Sequence, residues 1–575
     1  MNRRAFLARP AAGRRAPAQP QRPAPALAPA QAETLSPHAN QSLPRGLAQT
    51  AATLAPYAGP WGYAEAAHLL RRCLPGPTRA EVLAAAGAGL PAVLDGLLTA
   101  APTPPPPVNG FSANTVDAVG QTWVSAPYNN TVEGSRNRSL RAWWAGLLLQ
   151  GATLTEQMTL FWHNHFVVSF DNIFDSRYAY RYLALLRQRA LGNIRQLAQD
   201  VTIEPAMLRY LSGDQNRAGA PNENYGRELL ELFTLGKGPL IGPGNYTTYT
   251  EADVQAAARV LTGWQVSQAN ITSTFAAGRH DPTTKQFSAA FGNKTIANQG
   301  ATEYQALINL IFDRPETALF LARKLYRWFV YYLIDDQTEL NIIQPLAAQL
   351  RQSGYEVAPA LRTLLGSEHF FDALNRGCVI KSPVSFTVGV ARQMQLAFPP
   401  AGSVTAQYGL WDYLVSSATV QQQKLGDPPN VAGWPAYWQT PQYYELWINA
   451  VTLPRRNQLT DGLVSASGIV RTIDGTKYAL KIDLIGLVQV LAPATAADPN
   501  LLIAEFVGLL LPLPLTDNQT AYLKNALLPG LPDFEWTSEW SHYLAAPTSA
   551  ARLAVETKLQ ALLRSIMGLA EYHLC

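Results

Sequence analysis

Helix-starting signals recur along this chain and limit the folds that it can adopt. The pairs Thr78–Glu81, Thr153–Glu156 and Thr250–Asp253 have the spacing of a capping box, and apolar residues at helical spacing follow each pair. Apolar positions between residues 303 and 371 recur with the same period. The pattern predicts a mainly α fold, a large multi-helix globular domain with long irregular loops and at most a small β-hairpin.

Length and composition support a large hydrophobic core. The chain has 575 residues, of which 47% are hydrophobic, enough for one large core or two fused ones. We predict a disordered Pro/Ala/Arg-rich tail over residues 1–50. A helical core over 51–450 carries the motifs described below, and a C-terminal helical region over 451–575 packs on it.

The charge distribution argues against a nucleic-acid partner. The formal net charge is +4, and six arginines precede the first acidic residue, Glu33. Subtracting these six charges from +4 leaves −2 for the rest of the chain. Nucleic-acid binders usually carry a clustered basic face, which a near-neutral body does not provide.

The N-terminus predicts either export or a plain tail. Residues 2–7 resemble a twin-arginine export signal, but residues 8–34 lack the apolar stretch of about 7–15 residues that a signal needs. We therefore expect a periplasmic or extracellular protein with a degenerate signal, or else a cytoplasmic one. The longest apolar window, Leu501–Leu515, is interrupted by Glu505, so we expect no integral membrane span.

The number and spacing of the cysteines do not predict a disulfide framework or a cysteine metal site. Cys73, Cys378 and Cys575 are scattered, and no C-x-x-C motif occurs. A Cys73–Cys378 bridge in an exported protein and three free thiols are the two alternatives.

The segment Glu156–Ser169 places two histidines among aromatic and aliphatic residues, in a chain with only eight histidines. A buried imidazole needs a hydrogen-bond partner, a metal or a proton-transfer role to offset its desolvation. We expect a helix from near Leu154 to near Asp171, on which His163 and His165 lie about 200° apart. On a regular helix they cannot share one metal, so one is a ligand or base, or both belong to the core.

The segment Pro221–Gly236 predicts another helix with charged residues on it. Glu223, Arg227 and Glu231 repeat every four residues and can form an ion-pair ladder. Glu228 stands off this ladder beside leucines, where a carboxylate must be paired, ligating or partly solvated. It is either a site residue or a carboxylate held by a buried Arg or helix N-termini.

Two further segments are polar or aromatic. His280 and Asp281, with Lys285, lie in the best candidate for a hairpin and suit hard-metal or acid–base work, although a surface turn is the commoner outcome. Asp427–Pro435 has three prolines and a glycine and cannot be regular helix. Its aromatic extension to Trp447 covers a pocket, stacks on sugar rings or plugs a gap between helices. The candidate binding residues are Trp264, Asn430, Trp434 and Trp438.

These motifs together resemble a known bacterial family, the domain of unknown function 1800 (DUF1800). The resemblance rests on Phe161–Phe166, Pro221–Gly236, Tyr249–Val254 with Leu261–Trp264, and Pro428–Pro435, in this order along the chain. It covers about residue 60 to the C-terminus. Lys381-Ser-Pro383, where proline in the first turn begins a helix, is similar to the family as well.

The resemblance implies a large, mostly helical bacterial protein, often exported and often encoded beside a member of another uncharacterised family, number 1501. It implies no established activity. Glu204 stands where the family pattern has an aspartate before proline, and Ser385 where a glutamate is usual. Both departures weaken a catalytic role at those positions.

The first functional hypothesis is a hydrolytic or metal-dependent enzyme. A divalent metal ion is the cofactor it implies, because a bound metal generates a nucleophilic water near neutral pH. No H-E-x-x-H, G-x-S-x-G or Walker motif names the reaction. The candidate catalytic residues are His163, His165, Glu228 and Arg227. The candidate metal ligands are His163, Glu223, Glu231, His280 and Asp281.

The second hypothesis is a non-catalytic helical scaffold or binding protein that works with an extracytoplasmic partner, such as a protein of the 1501 family. In it the His, Glu, Arg and Trp residues form buried polar networks that lock helix packing. Binding of carbohydrate or cell-surface polymer through the aromatic residues 434–447 is compatible with either hypothesis.

Overall fold

Helices make up 57% of residues 53–575, the part of the chain that the computed structural model describes. The mainly α fold class is confirmed. The predicted tail over residues 1–50 lies outside the described residues, and the division at residue 450 stays a prediction. No helix among residues 53–575 has both the length and the apolarity needed to cross a membrane.

The first half of the chain forms helices that pack around the histidine-bearing segment. They are α1 (Tyr63–Cys73), α2 (Arg79–Ala88), α3 (Leu90–Leu97), α4 (Glu133–Gln150), α5 (Thr155–His165), α6 (Ser176–Gln188), α7 (Ile194–Thr202), α8 (Pro205–Tyr210), α9 (Asn224–Glu228), α10 (Glu251–Val260) and α11 (Glu303–Phe312). The capping boxes predicted at Thr78 and Thr250 are both present.

The second half continues the same way. Its helices are α12 (Pro315–Phe329), α13 (Asp336–Thr338), α14 (Gln344–Gln352), α15 (Val357–Leu365), α16 (Glu368–Phe371), α17 (Pro383–Gln393), α18 (Val404–Val420), α19 (Thr452–Val464), α20 (Leu484–Gln489), α21 (Pro493–Ala497), α22 (Pro499–Leu510), α23 (Asp517–Leu527), α24 (Asp533–Ala545) and α25 (Ser549–Gly568). Pro383 occupies the first turn of α17, as the sequence predicted.

The β structure of the described residues consists of four antiparallel hairpins of two strands each. The strands are β1 (Leu240–Gly242) with β2 (Asn245–Tyr246), β3 (Trp264–Ser267) with β4 (Thr272–Phe275), β5 (Lys285–Gln286) with β6 (Thr295–Ile296), and β7 (Ile469–Ile473) with β8 (Thr476–Leu480). One of them, β5–β6, begins at the Lys285 that the sequence placed in a hairpin.

Helix α5 ends earlier than predicted. It stops at His165 instead of continuing to Asp171, because Phe166 leaves the helical conformation at φ −96° and ψ 79°. The released chain then binds elsewhere, since the Asp171 backbone N–H donates to Asp427 Oδ1 at 3.0 Å.

The capping box predicted at Thr153 does not form, because the Glu156 carboxylate accepts from Arg187 Nε at 2.7 Å instead.

The helix predicted over Pro221–Gly236 also changes form. After α9, residues Leu229–Thr234 make a π-helical turn. Arg227 pairs with Glu223 at 2.8 Å, as predicted, but not with Glu231, whose carboxylate lies 2.5 Å from Lys237 Nζ. The wider π turn rotates Glu231 away from the i+4 position, so only half of the predicted ladder forms.

The end of the chain returns to the middle of the fold. The backbone N–H of Lys381 donates to His573 O, and that of Cys575 donates to Val379 O, both at 2.8 Å. Helix α19 packs on α17 and α18, and α22 packs on α1. Residues far apart in sequence therefore surround the start of α17.

Cys73, Cys378 and Cys575 are all free thiols.

Candidate functional site

A cavity of ≈ 70 Å³ lies where the first turn of α17 meets the end of α1, the end of α12 and the C-terminal segment. Its walls also include the chain between Ala436 and Trp447, which follows the proline-rich loop. The polar and aromatic lining residues are Arg71, Arg72, Gln157, Arg327, Trp328, Tyr332, Lys381, Ser382, Ser385, Phe386, Gln393, Tyr437, Tyr443, Tyr444, Trp447, Tyr572 and Cys575.

Two buried arginines reach the cavity from α1. Arg71 is 8% exposed, and its Nη2 donates to Gly508 O at 2.6 Å. Arg72 is 6% exposed, and its Nη2 donates to Asn375 O at 2.9 Å. The Nε atom of each guanidinium is buried without a hydrogen-bond partner in the described residues. Both side chains thus keep donor capacity that the protein itself does not use.

Lys381 lines the cavity from the chain immediately before α17. It is 9% exposed, and its Nζ donates to Tyr572 O at 2.6 Å. Burial lowers the pKa of Lys381 to about 7; Cys575 acts against this shift, while Arg71 and Arg456 add to it. A large part of this amine is therefore neutral at physiological pH.

Arg456 lies directly behind this wall. It is fully buried, its Nη2 donates to Lys381 O at 2.8 Å, and its guanidinium lies over the Phe386 ring at 4.8 Å. Its Nε and Nη1 are buried without partners in the described residues. Burial lowers the pKa of Arg456 to about 9.

These four cations have no Asp or Glu partner, and the opposing charge that acts on all four comes from Cys575 at the end of the chain. No Asp or Glu side chain of residues 53–575 forms an ion pair with Arg71, Arg72, Lys381 or Arg456. Elsewhere the protein pairs its buried cations closely. Lys285 Nζ, for example, lies 2.5 Å from Glu303 Oε1. Unpaired buried cations are costly, so their clustering here distinguishes this cavity from the rest of the core.

The start of α17 adds to the positive potential. Ser382 is the N-cap, and its hydroxyl accepts from the Ser385 backbone N–H at 3.2 Å. The N-terminal end of a helix carries partial positive charge and attracts anions. Lys381 and this helix end therefore act on the same volume.

Aromatic rings form the side of the cavity opposite α1. Tyr437 stacks on Trp328, with ring centroids 4.5 Å apart, and contacts Trp447 at 5.7 Å. Arg327 lies over the Tyr443 ring at 5.4 Å. Trp328 and Tyr437 are half-buried, and both residues line the cavity together with the cations.

Two glycines allow α17 to approach the turn after α1. Gly76 has φ +79°, and a Cβ there would lie 2.6 Å from the Cα of Gly389. Because the clashing atoms belong to the backbone, a larger residue would push the two elements apart. Both glycines line the cavity.

The His-Asn-His segment positions the proline-rich loop. Asn164 Oδ1 accepts from the Trp434 backbone N–H at 2.9 Å. Gly433 has φ +92°, and a Cβ there would lie 2.4 Å from the same Oδ1. Asp427 Oδ1 accepts from Ser169 Oγ at 2.8 Å and holds the other end of the loop. The segment therefore anchors the chain that carries the aromatic wall.

The family described as "Protein of unknown function (DUF1800)" matches residues 68–572. The chain belongs to the DUF1800 family. Comparison with the curated proteins found no match, and comparison with the solved structures found none either. The range that matches DUF1800 includes all four buried cations, the aromatic wall and the loop anchored by Asn164.

In this DUF1800 protein, His163 lies inside an aromatic box. It is fully buried, and its ring packs against Trp144 at 5.4 Å, Phe170 at 5.2 Å and Trp434 at 6.3 Å. Neither ring nitrogen makes a hydrogen bond of ordinary geometry within residues 53–575. Burial lowers the pKa of His163 to about 4, with Asp427 acting weakly against it. The imidazole is therefore a neutral part of the core near pH 7.

His165 has different surroundings. Its Nε2 lies 2.9 Å from Phe233 O, at the π-helical turn, and its ring stacks on Phe161 at 6.0 Å. Burial lowers the pKa of His165 to about 3. The two imidazoles contact different groups and do not converge on one volume.

The acidic candidates lie apart from both histidines. Glu223 and Arg227 are half-buried and form a surface network with Glu251. Glu231 accepts from Tyr249 Oη at 3.1 Å. Glu228 is half-buried, and burial together with the neighbouring Glu231 raises its pKa.

The hairpin candidates divide between two partners. His280 Nε2 lies 3.0 Å from Glu303 Oε2, and Lys285 contacts the same carboxylate, which makes a sealed network. Asp281 instead pairs with Arg259 at 2.7 Å. Residues 53–575 contain no group of three or more His, Cys, Asp or Glu side chains placed to hold a metal ion. The structure does not bring the five candidate ligands together.

None of the four candidate binding residues lines the cavity. Trp434 is buried against His163, and Trp438 is 37% exposed, with its Nε1 donating to Gly433 O at 3.1 Å. Asn430 is exposed at the turn of the loop. Trp264 packs on Tyr304 in a separate hairpin.

Most of the residues that line the cavity were not predicted from the sequence. The sequence indicated a helix start at Lys381 but no chemistry at that residue. It indicated no site residue beyond position 450, where Arg456 and Tyr572 lie. The local signal for Arg72 was weak but present, because an arginine at i+3 from Leu69 falls on the apolar face of α1. No local signal links these residues to one another.

Proposed function

We propose that this DUF1800 protein binds an acidic saccharide, with the acid group in the cation-lined cavity and the sugar ring against the aromatic wall. The observation that carries the proposal is the cluster of four buried cations without an Asp or Glu partner in the described residues. A bound anion would add negative charge to that of Cys575, the one opposing charge shared by all four cations among the described residues.

The energetics favour an anionic ligand over a neutral one. Desolvating a cation costs several kcal/mol, and hydrogen bonds to backbone carbonyls offset only part of that cost. A hydrogen bond that involves a charged group contributes about 1.5–3 kcal/mol. The guanidinium groups of Arg71 and Arg72 and the amine of Lys381, which all belong to residues lining the cavity, would provide such bonds.

The size of the cavity sets which part of the ligand enters. One water needs about 10–15 Å³ of comparable volume, so ≈ 70 Å³ holds a few waters or one carboxylate, sulfate or phosphate group. A sugar ring would remain near the half-buried rings of Trp328 and Tyr437. Flat aromatic faces suit the apolar faces of sugar rings.

Calorimetric titration of the purified protein with methyl glucuronide tests the proposal, and methyl glucoside, which lacks the acid group, is the ligand control. We expect the glucuronide to bind and the glucoside to bind at least about tenfold more weakly, since one charged contact is lost. Lys381→Met should weaken glucuronide binding similarly. Lys477→Met makes the same charge change on the exposed strand β8 and should leave binding unchanged.

A purely structural role makes a different prediction. If the cations serve only to hold backbone carbonyls such as Gly508 O, then Lys381→Met lowers stability and neither sugar binds. Equal affinity for both sugars, or no effect of Lys381→Met on a folded protein, would also contradict the proposal.

Export and a partner of the 1501 family remain predictions, as do the catalytic and metal assignments at His163, Glu228 and His280. An acidic saccharide ligand is compatible with an extracytoplasmic location, where such polymers occur on cell surfaces.

A further inference from the structure

Lys381 differs from the other buried lysine of residues 53–575. Lys285 is held by Glu303 at 2.5 Å and is fully buried. Lys381 has no carboxylate, faces a cavity and has the carbonyl of Tyr572 as its hydrogen-bond acceptor. One lysine is thus neutralised by a fixed partner, whereas the other is an amine accessible to a small ligand.

The surroundings of Lys381 favour the neutral amine. The charged groups that face it are Arg71 from α1, Arg456 from α19 and Cys575 from the C-terminal segment. Burial together with the two arginines lowers the pKa of Lys381 to about 7, although Cys575 opposes the shift. A neutral amine has the lone pair that attacks carbonyl carbon, and buried lysines next to other cations are activated in this way.

We infer that Lys381 forms an imine with an acid that carries a ketone or aldehyde, while the cations of the cavity hold its acid group. This inference rests on the proposed function, because the same cations must first bind the acid. It narrows the ligand class to acids with a free carbonyl, such as oxo acids and the open-chain forms of acidic sugars.

The chemistry balances without an oxidant. The amine nitrogen attacks the carbonyl carbon and forms a C–N bond, giving a carbinolamine. One N–H proton moves to the oxygen as the carbinolamine forms, and the nitrogen loses its one remaining proton as the hydroxyl group departs, so that Lys–NH2 and O=C become Lys–N=C and one water. Ser382 and Ser385, whose hydroxyl oxygens lie 3.1 Å apart beside Lys381, are available to exchange these protons.

Pyruvate and lactate form the matched probe pair, because both are small carboxylates and only pyruvate has a carbonyl. The full chain is incubated with pyruvate and cyanoborohydride, which reduces an imine to a stable amine, and the modified lysine is located by peptide mass mapping. We expect labelling at Lys381 to exceed that at Lys285 by at least about tenfold, because Glu303 pairs with Lys285 and keeps its amine protonated, whereas no Asp or Glu pairs with Lys381. Excess lactate should suppress the labelling.

Two variants separate imine formation from folding and from binding. Lys381→Arg keeps the charge and should bind methyl glucuronide yet lose the label. Lys285→Arg should keep the label if it folds. Normal glucuronide binding without a label at Lys381 would overturn the imine and leave the proposed function standing. If the protein neither binds glucuronide nor is labelled at Lys381, the proposed function and the imine are both overturned. Labelling spread over exposed lysines would show a nonspecific reaction and would overturn the imine.

Discussion

Lys381 is the residue whose protonation controls the charge of the cavity. Its pKa of about 7 places the change in charge within the physiological range. Arg71 and Arg456 stay charged there, since their pKa values fall only to about 10 and about 9 on burial. Burial lowers the pKa of His573 to about 3, so it stays neutral.

Binding of an acid should therefore weaken as pH rises through about 7. The bound anion stabilises the protonated amine, so binding takes up a proton that becomes harder to supply at higher pH. We expect the affinity for methyl glucuronide to fall up to about tenfold from pH 6 to pH 8. Calorimetry at both pH values measures the effect, and Lys381→Arg should abolish it. A pH-independent affinity in the native protein would contradict this assignment.

His163 makes a second prediction at the residue scale. Its pKa is about 4 in the folded protein and 6.5 ordinarily, so below pH 6.5 the unfolded chain binds a proton that the folded one refuses. The contribution of His163 to the free energy of unfolding is therefore fully present above pH 6.5. It is lost as the pH falls towards 4, by about 3 kcal/mol in total.

His163→Phe should remove that part of the acid sensitivity, because phenylalanine fits an aromatic box in which neither imidazole nitrogen has a hydrogen bond of ordinary geometry. Urea unfolding at pH 7 and pH 5 gives the free energies to compare. Phe170→Leu disturbs the same box without a titrating group and should destabilise equally at both values. If His163→Phe loses as much stability between pH 7 and pH 5 as the native protein does, the acid-dependent loss does not come from His163.

At the scale of elements, the contact between α5 and the proline-rich loop determines where the aromatic wall lies. Trp328 belongs to helix α12, but the rest of the wall lies in two short helical turns, Pro435–Tyr437 and Tyr443–Trp447, which give it little support of their own. It depends on Asn164, on Gly433 and on Asp427 at the far end of the loop.

Gly433→Ala should break this contact. The added Cβ would lie 2.4 Å from Asn164 Oδ1, so the Trp434 hydrogen bond would be lost, at a cost of about 1–3 kcal/mol, and glucuronide affinity would fall as the wall moves. Gly475→Ala is the control, because Gly475 also has positive φ, +78°, but nothing lies within 4 Å of its Cβ position. It should lower stability through backbone strain and leave binding intact. Equal binding by both variants would contradict the anchoring role.

At the scale of the whole molecule, contacts join the two predicted regions 51–450 and 451–575. Arg456 is fully buried, Arg71 caps the end of α22 through Gly508 O, and the Lys381 backbone pairs with His573. Truncation after residue 450 would expose the apolar faces of α17 and α18 that α19 covers.

We therefore expect a chain that ends at residue 450 to aggregate or to lack a cooperative unfolding transition, because its core would be left open. Circular dichroism on heating and sedimentation velocity would measure this. A monomeric truncated protein with cooperative unfolding would instead establish 51–450 as an independent domain.

Local sequence was sufficient for much of the fold. Thr78, Thr250 and Pro383 start helices where predicted, because capping and proline geometry involve only residues within one turn. The end of α5 was mispredicted since Phe166 leaves the helix where the following chain binds Asp427, a residue 256 positions from Asp171. Contacts of that kind leave no periodic signal.

Fold class and family membership followed from helix-starting signals and ordered motifs, because each motif is complete within a short stretch of sequence, the longest being Pro221–Gly236 and Tyr249–Trp264. The cavity depended on packing between distant elements. Arg72, Lys381 and Arg456 each resemble ordinary helix-face cations in sequence, and they become an unpaired cluster only when α1, α17 and α19 meet. Burial and the absence of a partner are properties of three-dimensional neighbours, and these properties made Lys381 a candidate nucleophile and His163 part of the core.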